Sequence, residues 1–255
     1  MTSLPDEQTT QLVAGRLLEM ADDELILSHR NSEWTGHAPI LEEDIAFANI
    51  AQDEMGHALI WYELLRSLTG RDPDRLVFFR EPCEYRNLQM VELPKGDWAF
   101  TVLRQYLFDT WEAGHLEALE QSRFTPVAEA AQKIGKEERY HLRHTAAWLC
   151  RLGRGTEESN SRMQAALDQL WPFHSQIWAA PPDYERLVTE SLMPDLARLG
   201  SLWEDRVRTE LSEAGLTPPG FGQPSAPLRD EHTEHLQPLI EEMQQVARLE
   251  TEAGW

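Results

Sequence analysis

Ala51-Gln52-Asp53-Glu54-Met55-Gly56-His57 is the stretch on which the fold turns, because it sets Glu54 and His57 on the side of a helix that apolar neighbours mark as buried. Phe47, Ile50, Glu54, His57, Ala58, Trp61, Leu65 and Leu68 follow one another at steps of three and four, the spacing of one helical face. Lys136-Glu137-Glu138-Arg139-Tyr140-His141 repeats the arrangement, since Ala131, Ile134, Glu138, His141, Leu142, Thr145, Trp148 and Leu149 form a second stripe. Farther out, Val13, Leu17, Met20, Glu24 and Leu27 make a third stripe, and Trp98, Val102, Tyr106, Asp109, Ala113 and Leu116 a fourth. Four helices thus each place a carboxylate in an apolar face.

Caps and breakers set the boundaries of these helices. The pattern predicts helices over about 6–31 and 40–69, the second stopped by Gly70; a third starts after Asp97, a good N-cap, and ends near Arg123. A fourth restarts at Thr125-Pro126 and ends at the glycines of 151–155. The first-to-second and third-to-fourth links are short, which makes antiparallel neighbours, whereas the second-to-third link takes about 27 residues (71–97). One long crossover is the mark of a ferritin-like bundle. The fold class expected is therefore all-α: one ferritin-like domain over 1–255 with a four-helix core at about 6–153. Further helices are expected over about 156–178, 183–213 and 229–250, separated by 179–183 and by the Pro- and Gly-rich 216–228. That second linker leads either to a C-terminal arm or to a packed terminal helix.

Spacing gives an independent check on the buried carboxylates. Glu24 precedes Glu54 by 30 residues and Asp109 precedes Glu138 by 29, so the two hairpins are built alike. Residues equidistant from a hairpin turn lie at one level, and each lone carboxylate should face the Glu-x-x-His of its partner helix. One Glu-x-x-His alone is an ordinary polar pair in a core. Six such groups converging, Glu24, Glu54, His57, Asp109, Glu138 and His141, must be metallated, protonated or paired, because several unpartnered buried carboxylates cost several kcal/mol each. Their four negative charges match two divalent cations, and mixed oxygen and nitrogen donors suit iron better than a thiolate-seeking metal, with manganese the second choice. Glu112 and His115 repeat the spacing without a helical carboxylate 30 residues upstream, so they are expected at the surface or behind the ligands, and Asp109 is taken over Glu112 as the third helix's ligand. Glu137 is a candidate to support the ligands from behind. Tyr106 and Tyr140 read as packing residues, and His232 and His235 as polar groups at a helix start rather than a surface metal site.

Composition excludes several function classes. Forty-four acidic against twenty-three basic residues give a formal charge of −21, which opposes phosphate backbones and anionic membranes. Residues 1–11 lack the regions of a signal peptide, and no stretch approaches the ~20 apolar residues that span a bilayer, so a cytoplasmic location is expected. Cys83 and Cys150 show no metal spacing and read as ordinary thiols.

Residues 52–57, 136–141 and Glu33-Trp34-Thr35-Gly36-His37-Ala38-Pro39 together resemble the subunits of bacterial phenylacetyl-CoA monooxygenase, a 1,2-epoxidase of phenylacetate catabolism. Residues 94–111, 136–159 and 231–244 look like its C-type subunits, and the resemblance runs over nearly the whole chain. It implies a structural partner of an A-type subunit that binds the di-iron centre and substrate, with NADPH used only by a separate reductase. The reaction implied is epoxidation of a thioester-activated aromatic ring. C-type subunits commonly lack ligands at these positions, whereas Glu24, Glu54, His57, Asp109, Glu138 and His141 are all present here. An oxygenase subunit in its own right, or a ferritin-like storage protein or manganese catalase, are the other readings. Arg139, Arg143 and His144 are the basic residues that could offer a pocket to an anionic coenzyme A.

Overall fold

The computed structural model describes residues 4–220 and 228–249, and among these every regular element is helical. The four long helices are α1 (Glu7–Ser32), α2 (Leu41–Thr69), α5 (Trp98–Leu119) and α6 (Thr125–Gly153). Between α2 and α5 lie α3 (Pro73–Phe78), a 3-10 turn at Pro82–Glu84, and α4 (Gln89–Glu92). Local chemistry accounts for the ends. Asp6 accepts the Thr9 N–H at 2.8 Å, and Asp97 accepts the Phe100 N–H at 2.9 Å. Gly70 closes α2 at φ 72°, a left-handed conformation that costs glycine little, and its N–H donates to the Arg66 carbonyl at 2.8 Å. The α1–α2 and α5–α6 hairpins pack together through α2 and α6.

Beyond residue 156 the helices are shorter than the periodicity suggests. The elements are α7 (Glu157–Leu170), a 3-10 stretch at Trp171–Gln176, α8 (Tyr184–Thr189), α9 (Leu196–Glu213) and α10 (Leu236–Leu249). Pro172 tightens the end of α7. The expected helix over 183–213 is broken between α8 and α9, where Ser191 takes φ 56° and Pro194 lacks the N–H that a continuing helix would need. α10 starts seven residues later than expected because the residues before it are engaged in tertiary bonds. Arg229 reaches Asp23 of α1 at 2.8 Å, and His232 Nδ1 and Thr233 N lie 2.6 and 2.7 Å from the buried Glu92 carboxylate. The described part of the C-terminal segment therefore packs back, with Leu236, Leu239 and Ile240 buried; residues 221–227 of the expected linker lie outside the described residues.

One apolar cluster runs from Val13 through the long helices to Ile240. Because α7 and α9 pack on α5 in addition to α6, α5 is buried continuously from Ala99 to Glu112. Within this core Asp22 accepts from Arg80 Nη1 at 2.9 Å and Nη2 at 2.5 Å, from the Tyr62 hydroxyl, and from the Arg86 N–H at 2.8 Å. Removing one partner of such a pair leaves a charge buried and typically costs ~3–5 kcal/mol. Arg80→Met should lower the urea-unfolding stability by that order; a loss below ~1 kcal/mol would mean that neutral donors suffice for Asp22.

Candidate metal centre

Midway along the bundle, α1 supplies Glu24, α2 supplies Glu54 and His57, and α6 supplies Glu138 and His141, all 3 % exposed or less. One donor atom from each of Glu24, Glu54 and His57 lies within 4.8 Å of the other two, and the same holds for Glu54, Glu138 and His141. Glu54 is common to both triads. His57 Nδ1 stands 3.8 Å from Glu24, 3.9 Å from Glu54 and 3.4 Å from Glu138. His141 Nδ1 stands 2.7 Å from Glu138 and 3.8 Å from Glu54.

Both imidazoles turn the same atom inward. His57 Nε2–H donates to Glu137 Oε2 at 2.9 Å and His141 Nε2–H to Asp53 Oδ2 at 3.2 Å, carboxylates that are about half exposed. A carboxylate can only accept here, so each Nε2 carries a proton and each Nδ1 faces the cluster, where it can ligate a cation once any second proton has left. This is the carboxylate–histidine pairing that orients imidazole ligands and raises their basicity. Glu137 thus sits where the sequence placed it; Asp53 was missed, although its neighbour Glu54 was not. If the two acids tune a metal, Asp53→Asn and Glu137→Gln should each weaken metal affinity about 10–100-fold, and unchanged affinity in a metal titration would make them ordinary surface acids.

Asp109 is fully buried at the same level, but its oxygens are engaged by protein donors. Gln105 Nε2 donates to Oδ1 at 2.6 Å and the Thr145 hydroxyl to Oδ2 at 2.7 Å, while Gln105 also reaches Glu54 Oε1 at 2.7 Å. Neither triad includes an acid of α5, whether Asp109 or Glu112. Of the two places expected for Glu112 and His115, the surface is excluded: they are 6 % and 5 % exposed, and Glu112 shares a cavity wall with Glu24. What faces this part of α5 is not solvent but α1, α2 and the segment before α10, since Arg16, Asp23, Trp61 and Arg229 share that cavity with Glu112 and His115. The buried side-chain oxygens and nitrogens without a hydrogen-bond partner include Glu24 Oε1 and Oε2, Glu54 Oε2, His57 Nδ1, Glu112 Oε2, Glu138 Oε1 and Oε2, and His141 Nδ1. Asp109 is absent from that set.

Electrostatics show what the cluster does without a cation. Burial lifts Glu24 far above the usual carboxylate range, with Glu112 and Glu54 adding repulsion, and it lifts Glu112 likewise, with Glu138 adding. Burial pushes Asp109 and Glu138 each up to about 8, with Glu54 adding to both. Burial alone would lower His141, but Glu138 and Glu54 outweigh it and raise it to about 11. The metal-free cluster is therefore held together by protons, and cations would displace them. Four carboxylates, each with at least one oxygen free of a hydrogen bond, and two inward Nδ1 atoms fit two divalent cations.

The remaining candidates are placed elsewhere. Tyr106 donates to Glu210 at 2.8 Å, and Tyr140 is exposed. His232 is bonded to Glu92 rather than poised for a surface metal. Arg143 and His144 line a groove of about 400 Å³ between α2 and α6, but Arg143 lies over the Tyr140 ring and His144 is 2.8 Å from Glu43, with Asp53 also in the wall; Arg139 is exposed outside it. Cys83 and Cys150 are exposed free thiols. No helix among the described residues is long and apolar enough to cross a membrane.

Over 240 residues the chain is 38% identical to the C-type member of the 1,2-phenylacetyl-CoA epoxidase of Escherichia coli (strain K12), covering 93% of this chain and 97% of that one. It is 25% identical over 169 residues to the A-type member of that epoxidase, covering 66% of this chain and 54% of the other. The family described as phenylacetic acid catabolic protein matches residues 1–255, and with its helical bundle and paired Glu-x-x-His helices the chain belongs to that family.

Proposed function

We propose that this chain is the C-type subunit of a phenylacetyl-CoA ring 1,2-epoxidase, one cytoplasmic ferritin-like domain acting as the structural partner of a catalytic A-type subunit. The observation that carries this reading is the identity to the C-type epoxidase chain across nearly the full length of both. The weaker, partial similarity to the A-type chain fits two related bundles in one complex. The test is co-expression with the A-type subunit followed by size exclusion. A single peak at micromolar concentration is expected, because paired helical subunits of obligate complexes bury about 2,000 Å² or more; two separate peaks would refute the partnership.

The same chain is proposed to hold metal. Glu24, Glu54, His57, Glu138 and His141 would bind two cations, and on α5 Glu112, with its unpartnered oxygen, replaces Asp109, whose oxygens Gln105 and Thr145 already hold. Iron is the metal this donor set favours, and a di-iron pair so bound would supply redox chemistry toward dioxygen with electrons from the separate reductase. The chain's own residues do the rest. Asp53 and Glu137 fix the imidazoles, and Gln105 ties Glu54 to Asp109.

A further inference from the structure

Behind the carboxylates is a cavity walled by groups that the metal reading leaves unused. Arg16, Asp23, His115 and Arg229 share it with Glu24 and Glu112. It leaves about 20 Å³ for water centres, and one water needs roughly 10–15 Å³ by that measure. Arg16 Nε, Arg229 Nε, His115 Nε2 and Glu112 Oε2 are buried without a hydrogen-bond partner among the described residues. Arg16 and His115 are 3 % and 5 % exposed, so bulk solvent does not serve them. A bound water that accepts from the guanidinium N–H groups and donates to Glu112 would satisfy donors and acceptor together.

Arg229 connects this chamber to the outside. It also lines a surface groove of about 350 Å³ with Glu19, Arg86 and Pro181. Its side chain is 10% exposed, and its Nη1 is held by both oxygens of Asp23 at 2.8 Å and by the Arg86 carbonyl at 3.0 Å. We propose that the chamber is a hydrated passage through which water and other small polar ligands reach the Glu24–Glu112 side of the metal pair, with Arg229 as its constriction. This rests on the reading of the cluster as a metal centre. The groove between α2 and α6 is the competing route, but a ligand entering there meets Asp53 and the hydrogen-bonded Nε2 edge of His141, not an open donor.

The test uses azide, a small anion whose binding to ferric iron gives a charge-transfer band, mixed in stopped flow with the iron-loaded full chain. Arg229→Ala should speed binding about tenfold, equivalent to ~1.4 kcal/mol of barrier. Arg229→Lys, which keeps a cation beside Asp23, should give a smaller increase and guards against misfolding of the first variant. Ala46→Trp, which fills the α2–α6 groove, should leave the rate unchanged. Rates unchanged by both Arg229 variants, or slowed by Ala46→Trp, would overturn the passage. Metal content and circular dichroism are read first, because a folded chain that takes up no iron overturns the metal reading itself. The chamber is then judged in crystals of the metal-free chain: density for water on Arg16 Nε and His115 Nε2 supports it, and a chamber filled by side chains refutes it.

Discussion

Loaded anaerobically with ferrous iron, the purified chain should take up about two ions and gain roughly 10–20 °C in Tm, and Glu138→Ala or Glu112→Ala should abolish most of both effects. The magnitude follows from linkage. Ligand at a hundred times Kd stabilises by ~2.7 kcal/mol per site, and each kcal/mol shifts Tm by ~2–4 °C for a chain of this size. Asp109→Asn should keep most of the iron, because its oxygens are occupied by Gln105 and Thr145 while Glu112 retains a free one. The opposite ranking, with Asp109→Asn losing iron and Glu112→Ala keeping it, would return the ligand role to Asp109.

The pH dependence should separate the two states of the same site. In metal-free protein Asp109 and Glu138 titrate near 8, above their unfolded values of 3.8 and 4.5, and His141 near 11, above 6.5. Each group then binds more proton folded than unfolded, so its stabilisation is complete below the unfolded pKa and is lost as pH rises through the folded one. Metal-free stability should fall from about pH 5 through 8 at up to ~1.4 kcal/mol per pH unit for each extra proton, while iron affinity rises over the same range because the ligands must shed those protons. Urea melts of metal-free protein that strengthen with pH would contradict the proton-held cluster.

The second large effect concerns which polypeptide performs the chemistry. In a reconstituted complex with the A-type subunit, reductase, NADPH and oxygen, Glu54→Gln with Glu138→Gln in this chain should leave phenylacetyl-CoA turnover largely intact. Coenzyme A is anionic, the chain carries a net charge of −21, and the groove holding Arg143 and His144 is offset by Glu43 and Asp53. Turnover that collapses while the complex still elutes as one species would make this chain catalytic.

Much of the bundle was legible in the sequence because its signals are local. Asp97 and Gly70 mark helix ends through bonds made within one turn, and the 30-residue step from Glu24 to Glu54 places two carboxylates at one level of a hairpin without any knowledge of the rest. The same holds for Glu54, His57, Glu138 and His141, whose helices α2 and α6 each bury a single stripe, so periodicity says which side faces in. Only the tertiary structure shows which of Asp109 and Glu112 keeps an oxygen free of a hydrogen bond. Helix α5 is packed by α6, α7 and α9 and buried nearly all round, so a stripe read along it does not single out one inward face. Gln105 and Thr145 distinguish the two acids by hydrogen-bonding Asp109 and not Glu112, a difference set by side chains from different helices meeting at one point. The course of residues 228–235 was hidden for the same reason: His232 and His235 read as polar groups at a helix start, and the acids that receive Arg229, His232 and Thr233 are Asp23 and Glu92, more than a hundred residues away.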